Sequence, residues 1–183
     1  TVHVFIDALR RSSSVPILSI IEETLRAIHT SCRVSTVDKV RANGRDRAAG
    51  AVSACKTQIP HKSHIPDTGT LGLLATSATV KSRIYHEPLE HAGFTLLEPP
   101  PRVQKTIDQI ILRIIHHRHR QDAPADRRFI TRAISSFRER GAQAVIFGCT
   151  DLSLLGQFSK PALPLLDSTA ILEDAAVAWL LQG

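Results

Sequence analysis

Methionine is absent from the sequence, and tryptophan and tyrosine occur once each. Aromatic residues total 4%, which leaves almost nothing to stack on nucleic-acid bases. Cysteine occurs three times, at Cys32, Cys55 and Cys149, and never as C-x-x-C. An odd, small number excludes a disulfide framework, and the spacing does not suit a structural zinc site. The chain therefore reads as intracellular and cytoplasmic, with at least one free thiol. No run approaches the roughly 18 consecutive apolar residues of a membrane span. A signal-peptide layout is missing too, since Asp7, Arg10 and Arg11 interrupt the start. The first residue is Thr1, so the sequence reads as a piece cut from something longer. G-x-S-x-G, G-x-G-x-x-G and P-loop patterns are all absent.

Positive charge is in excess: Lys and Arg number 23 against 17 Asp and Glu, a net of +6. Residues 31–68 hold seven Lys/Arg and three Asp/Glu, so +4 of that net comes from one stretch. A second basic cluster, "RIIHHRHR" at 113–120, adjoins an expected helix end. This distribution fits a solvated basic face better than a nucleic-acid surface, and no nucleic-acid partner is expected. His116, His117 and His119 stand among arginines that repel a cation, and His61 and His64 lie in an irregular stretch. No metal site is expected.

Apolar residues make up 43%, enough for a sizeable core. Val4, Phe5, Ala8 and Leu9 give a short helical pattern over 3–11. Val15–Ile21 reads as a short buried strand or its approach, and 22–29 as a helix through Leu25 and Ile28. Residues 31–68 carry scattered apolar residues without a period, and read as a disordered or aberrant insertion. Order returns with a strand in "GTLGLLATSATV" (69–80), which runs into a Thr/Ser/Ala turn. A helix is expected over 81–93, closed by Gly93, then a strand over 94–101 stopped by prolines. Ile107, Ile110, Ile111, Ile114 and Ile115 define one face of a helix over 104–117. Asp126 is placed to cap a helix running to Gly141. Strands follow at 142–149 and 162–168, and a helix closes the chain. Strands alternating with helices predict an α/β fold with a parallel sheet.

In such sheets ligands bind beyond the carboxyl ends of the strands. Three polar clusters fall there: Thr76–Thr79, Cys149–Asp151 and Asp167–Thr169. Cys149 sits where a strand stops and a helix is expected to start, so first-turn amides favour its thiolate. A small buried packing cysteine is the other reading, against which stand Thr150 and Asp151, polar company that packing does not need. The Thr76 and Thr79 hydroxyls with nearby amides can hold a carboxylate without a metal, or form an ordinary capped turn. Asp167, Ser168 and Thr169 suit a site or a plain helix cap.

These stretches carry a family resemblance. "AVIFGCTDLSLL" (144–155) resembles the second-cysteine motif of the aspartate/glutamate racemase family, a hydrophobic strand followed by Gly-Cys-Thr-Glu or Gly-Cys-Thr-His. "GLLATSATVKSRIYHEPLEHAGFTLLEP" is similar to that family's strand, Gly-Thr-x-x-Thr turn, Ser/Tyr-bearing helix and next strand. "LPLLDSTAILEDAAVAWLL" is similar to its closing strand and helix. "HVFIDALRRSSSVPILSIIEETLRAI" resembles the segment after its first cysteine. The resemblance covers nearly everything except 31–68.

The resemblance implies two α/β domains facing a cleft, each with one catalytic cysteine, and neither pyridoxal phosphate nor a metal. It implies residues 1–30 as a remnant of the N-terminal domain, 69–167 as the C-terminal domain, and 168–183 as a helix returning to the first. One thiolate removes the α-proton of aspartate or glutamate, and the opposite thiol returns one. Cys149 matches the second cysteine and Thr150 a contact to the substrate carboxylate. Asp151, where Glu or His is usual, would tune or orient the thiol. Thr76 and Thr79 match the carboxylate-binding turn, with Ala75 in place of the common glycine, and Leu172 stands where a histidine is frequent. "TVH" at 1–3 resembles the tail of the Cys-Asn-Thr-x-His motif, which makes Thr1 a substrate contact and leaves the first cysteine outside the sequence. The chain as written is therefore expected to racemise little or not at all. A hydantoin racemase, maleate isomerase or malonate decarboxylase, or a non-catalytic dicarboxylate-binding remnant, are the alternatives. Assembly as a homodimer is open.

Overall fold

The computed structural model describes residues 6–37, 68–116, 119–156, 158 and 161–181. Four strands, β1 (Gly69–Leu74), β2 (Phe94–Leu97), β3 (Ala144–Phe147) and β4 (Leu165–Asp167), form one sheet in the order β2–β1–β3–β4. All three pairings are parallel, as the alternation of strands and helices predicts. The helices are α1 (Ile6–Ser12), α2 (Ile20–Val37), α3 (Ser77–Lys81), α4 (His86–His91), α5 (Pro101–Ile115), α6 (His119–Glu139) and α7 (Ser168–Leu180). A 3-10 segment, Thr150–Leu155, follows β3. No helix among the described residues is long and apolar enough to cross a membrane.

Side chains alternate across the sheet, and this period of two divides the core. Leu74, Val145, Phe147 and Leu165 pack with Ile107, Ile110, Ile111 and Ile114 of α5 and with Ile130, Ile134 and Phe137 of α6. Leu71, Leu73, Ala144, Ile146 and Leu166 pack on the other face with Ile20, Ile21 and Ile28 of α2 and Ile171 of α7. Both faces are covered, which is why these strands read as unbroken apolar runs.

Several expected elements differ. Residues 13–19 form no strand. Ser19 instead opens α2, its hydroxyl accepting from the Glu22 N–H at 3.4 Å, and Ile20 and Ile21 are buried in the first turn. Ser19–Glu22 has the Ser-x-x-Glu spacing of a capping box, a signal in the sequence that the apolar run obscures. α2 continues to Val37, so the first residues of the stretch 31–68 are helical; residues 38–67 lie outside the described residues. The helix expected over 81–93 divides into α3 and α4. Pro88 explains the break, because it lacks an N–H for Ile84 and its ring clashes with that carbonyl in a continuous helix. Gly93 does end α4, at φ 86°. Prolines do stop β2, and Pro101 then opens α5 at a position where a missing N–H costs nothing. Ile115 does not share the buried face of α5 and is half exposed. Asp126 caps nothing: it lies inside α6, buried, and pairs with Arg113 of α5.

Candidate active site at the carboxyl edge of the sheet

The last paired row of the sheet is Leu74, Phe147 and Asp167. Continued by one residue, the register places Ala75, Gly148 and Ser168 side by side; continued by two, Thr76, Cys149 and Thr169. The three polar clusters are therefore brought to one edge by strand pairing. The Gly148 N–H bonds to the Leu74 carbonyl at 2.9 Å, and the Ser168 hydroxyl to the Phe147 carbonyl at 2.6 Å. Gly148 also admits Tyr85: a Cβ there would lie 2.9 Å from both the tyrosine ring and Leu73.

Cys149 is a free, half-buried thiol with extended backbone, at the residue before the 3-10 segment. Its Sγ donates to Asp151 Oδ2 at 3.6 Å. Burial pushes the thiol up from its ordinary 9.0 to about 11, and the negative Asp151 carboxylate adds to the rise. The backbone N–H groups of Asp151 and Leu152 act in the other direction, as first-turn amides should, but burial outweighs them. The expected lowering of the thiol is thus reversed. A six-residue 3-10 segment offers little aligned dipole to oppose desolvation.

On the β1 side, Thr76 caps α3, its Oγ1 accepting from the Thr79 N–H at 3.1 Å and lying 3.0 Å from Thr79 Oγ1. Thr79 is buried and Thr76 half-buried. The Ser77 N–H is not open either: it donates to Asp108 of α5 at 2.9 Å. Two amides of this turn, those of Ser77 and Thr79, are thus already engaged. On the β4 side, Asp167 Oδ1 caps α7 through the N–H groups of Thr169 and Ala170, at 3.0 and 3.3 Å. The same oxygen accepts from Ser153 of the 3-10 segment at 2.8 Å, so Asp167 both caps a helix and ties the cysteine loop to β4. Thr150 is exposed beside Cys149. Thr1 lies outside the described residues. Leu172, where the resemblance expects histidine, is packed with the core of the α2 and α7 face.

Tyr85, Asp108, Gln104 and Ser153 were not singled out from the sequence. Tyr85 is buried, which pushes its phenol up to about 12, against the opposing effect of the neighbouring Ser168 and Thr24 hydroxyls. A cleft of about 120 Å³ does exist, but it is lined by Pro99, Val103, Phe129 and Phe137 with Arg132 and Arg140, between α5 and α6, and includes none of the strand-end residues. Its lining offers no thiol, carboxylate or imidazole for proton transfer, whereas the strand ends carry a thiol and carboxylates.

Fold and site together define the class: a parallel α/β protein whose polar centre is a cysteine, with hydroxyls and carboxylates, at the carboxyl edge of the sheet. The family model described as Asp/Glu/Hydantoin racemase matches residues 48–176, and the chain belongs to that family. It is similar to the broad specificity amino-acid racemase RacX of Bacillus subtilis (strain 168), with 24% identity over 181 residues, 99% of this chain and 62% of the relative. A candidate Asp/Glu racemase from Yersinia pestis has the same fold, with a TM-score of 0.67, 22% identity, and coverage of 98% of this chain and 62% of the other. PH1733, an aspartate racemase homologue from Pyrococcus horikoshii OT3, gives a TM-score of 0.65 and 20% identity, over 97% and 62% of the two chains. The chain thus spans about three fifths of the length of these relatives.

Proposed function

We propose that this chain carries the Cys149 half of a cofactor-independent amino-acid racemase, moving a proton on and off the substrate α-carbon, with an acidic amino acid as substrate. The observation that carries the reading is the Cys149–Asp151 contact, 3.6 Å long, at the same sheet edge as the Thr76–Thr79 turn. Proton removal needs a thiolate, and Asp151 is placed to receive the hydrogen that leaves Sγ. The thiolate then takes the proton from Cα, and the electron pair left there is stabilised through the substrate carboxylate. In the reverse sense the thiol gives its hydrogen to the carbanion. A substrate ammonium group beside the sulfur lowers the thiol by the same electrostatics through which Asp151 raises it.

Thr76 supplies a donor for the substrate carboxylate. Its oxygen accepts the Thr79 N–H, and one hydrogen is shared between the Thr76 and Thr79 hydroxyls 3.0 Å apart, so one hydroxyl hydrogen of the pair is left to donate. Thr150, exposed next to the sulfur, is the second donor, and Thr1 a third from the other domain. The opposing thiol belongs to that domain, of which residues 1–30 are the part proposed here. No pyridoxal phosphate is called for, and assembly as a homodimer and a cytoplasmic location complete the proposal.

A second reading of the substrate is favoured by one observation. Asp108, Asp151 and Asp167 all stand at this edge, and three carboxylates disfavour a second negative charge on the substrate. An amino acid with an uncharged or basic side chain suits them better, in keeping with the broad specificity printed for RacX. The test is exchange of the α-proton for deuterium in D₂O, followed by NMR for aspartate, glutamate, alanine and lysine. Exchange with aspartate or glutamate alone supports the first substrate; exchange with alanine or lysine supports the second. Exchange with none, or undiminished exchange in Cys149→Ala, overturns the proposal.

A further inference from the structure

The geometry points to Asp108 as a positioning residue: from α5 it holds the Thr76–Thr79 turn in the shape that meets the substrate carboxylate. The inference rests on the function proposed above and adds a residue that the family motifs do not include.

Asp108 lies two turns into α5, and its side chain reaches the loop that follows β1. Oδ1 accepts the Ser77 N–H at 2.9 Å, and Oδ2 accepts the Ser77 hydroxyl in a short hydrogen bond. One carboxylate thus grips both hydrogen-bond donors of a single residue, and that residue lies between the two threonines. Gln104, one turn earlier on α5, adds a second tie. Its Nε2 donates to the Ala75 carbonyl at 2.9 Å and to Asp108 Oδ1 at 3.1 Å. The Gln104 orientation is fixed by these contacts, since the flipped amide would set its oxygen against two acceptors. Its Oε1 is consequently buried without a hydrogen-bond partner among the described residues. Leaving a buried acceptor unmet is costly, and a fold tolerates it where something else is gained. Here the gain is a turn held at Ala75 and Ser77, on either side of Thr76.

The turn needs such support. α3 has only five residues and packs few of them, so local helix stability does not hold Thr76 and Thr79 in place. α5 is the opposite: its apolar face is buried in the core, and it forms a rigid base. Asp108 transmits that rigidity to two hydroxyl-bearing residues, and a displacement of about 1 Å at a binding turn is enough to weaken binding strongly. The carboxylate acts through Ser77 and makes no contact with the substrate.

Asp108→Ala and Asp108→Asn separate this role from general stability. Binding of L-aspartate, L-glutamate, L-alanine and L-lysine is measured by calorimetry, and amide hydrogen exchange of residues 75–79 by mass spectrometry. In Asp108→Ala, exchange over 75–79 should accelerate and the dissociation constant rise by roughly tenfold or more, while exchange elsewhere stays as in the wild type. Asn keeps an acceptor for the Ser77 N–H and should restore binding to within about threefold. Unchanged binding or unchanged exchange over 75–79 in Asp108→Ala overturns the inference. So does Asp108→Asn behaving like Asp108→Ala. If the wild-type chain binds none of these amino acids, L-lysine included, the proposed function itself fails and the positioning role with it, a result visible in the wild-type titration alone.

Discussion

Tyr85 and Gly148 are in mutual contact: the tyrosine Cε2 lies 2.9 Å from the point that a Cβ on residue 148 would occupy. The glycine before the cysteine is thus required by a neighbour in space. Gly148→Ala should push Tyr85 and Leu73 aside and cost about 1–3 kcal/mol by overpacking. Urea denaturation measures it, and wild-type stability in the variant would show that the contact is slack.

Alkaline pH should weaken the fold through two buried acids. Cys149 rises from 9.0 to about 11 and Tyr85 from 10.0 to about 12 on folding. Each folded group holds its proton more tightly than the unfolded chain does, so its contribution is complete below the unfolded value and is lost as pH rises through the folded one. Stability should therefore fall between about pH 9 and 12, by up to roughly 3 kcal/mol per group. The double variant Cys149→Ser, Tyr85→Phe should flatten that decline in denaturation curves. An equal slope in variant and wild type would contradict the assignment.

Asp151→Asn removes the negative charge that helps raise the thiol. Alkylation of Cys149 by iodoacetamide at pH 8 should accelerate by about threefold to tenfold, read at the Cys149 peptide by mass spectrometry. The same variant should exchange the substrate α-proton more slowly, because no carboxylate remains to receive the hydrogen from Sγ. Slower alkylation would mean that Asp151 activates the thiol at rest.

The Arg113–Asp126 pair joins α5 to α6, with the carboxylate buried and the guanidinium partly exposed. Asp126→Ala should cost about 2 kcal/mol, less than a wholly buried pair because Arg113 reaches water. Thermal unfolding tests it, and a loss under about 0.5 kcal/mol would place the pair with ordinary surface bridges.

Much of this was legible along the chain. The four strands and the buried face of α5 follow from apolar runs and spacing, and Gly93 marks a helix end by its type. Cys149, Thr76 and Asp167 were legible as strand-end residues. Asp108 and Gln104 were not, because on a helix they look like any polar residue of the outer face. Asp126 looked like a cap for the same reason: a carboxylate near a helix start has two possible partners, and only packing reveals that Arg113 takes it. Tyr85 looked like part of an unbroken helix, and its burial depends on Gly148, more than sixty residues away.

The order of strands and helices, the apolar faces and the placing of polar residues at strand ends were determined by the sequence, because periodicity and backbone chemistry act over neighbouring residues. The tertiary structure alone decided which polar residues are engaged with one another and which remain free to act. It also decided that the Cys149 thiol rises where local amides would lower it, because desolvation depends on everything packed around the sulfur, including core residues distant along the chain.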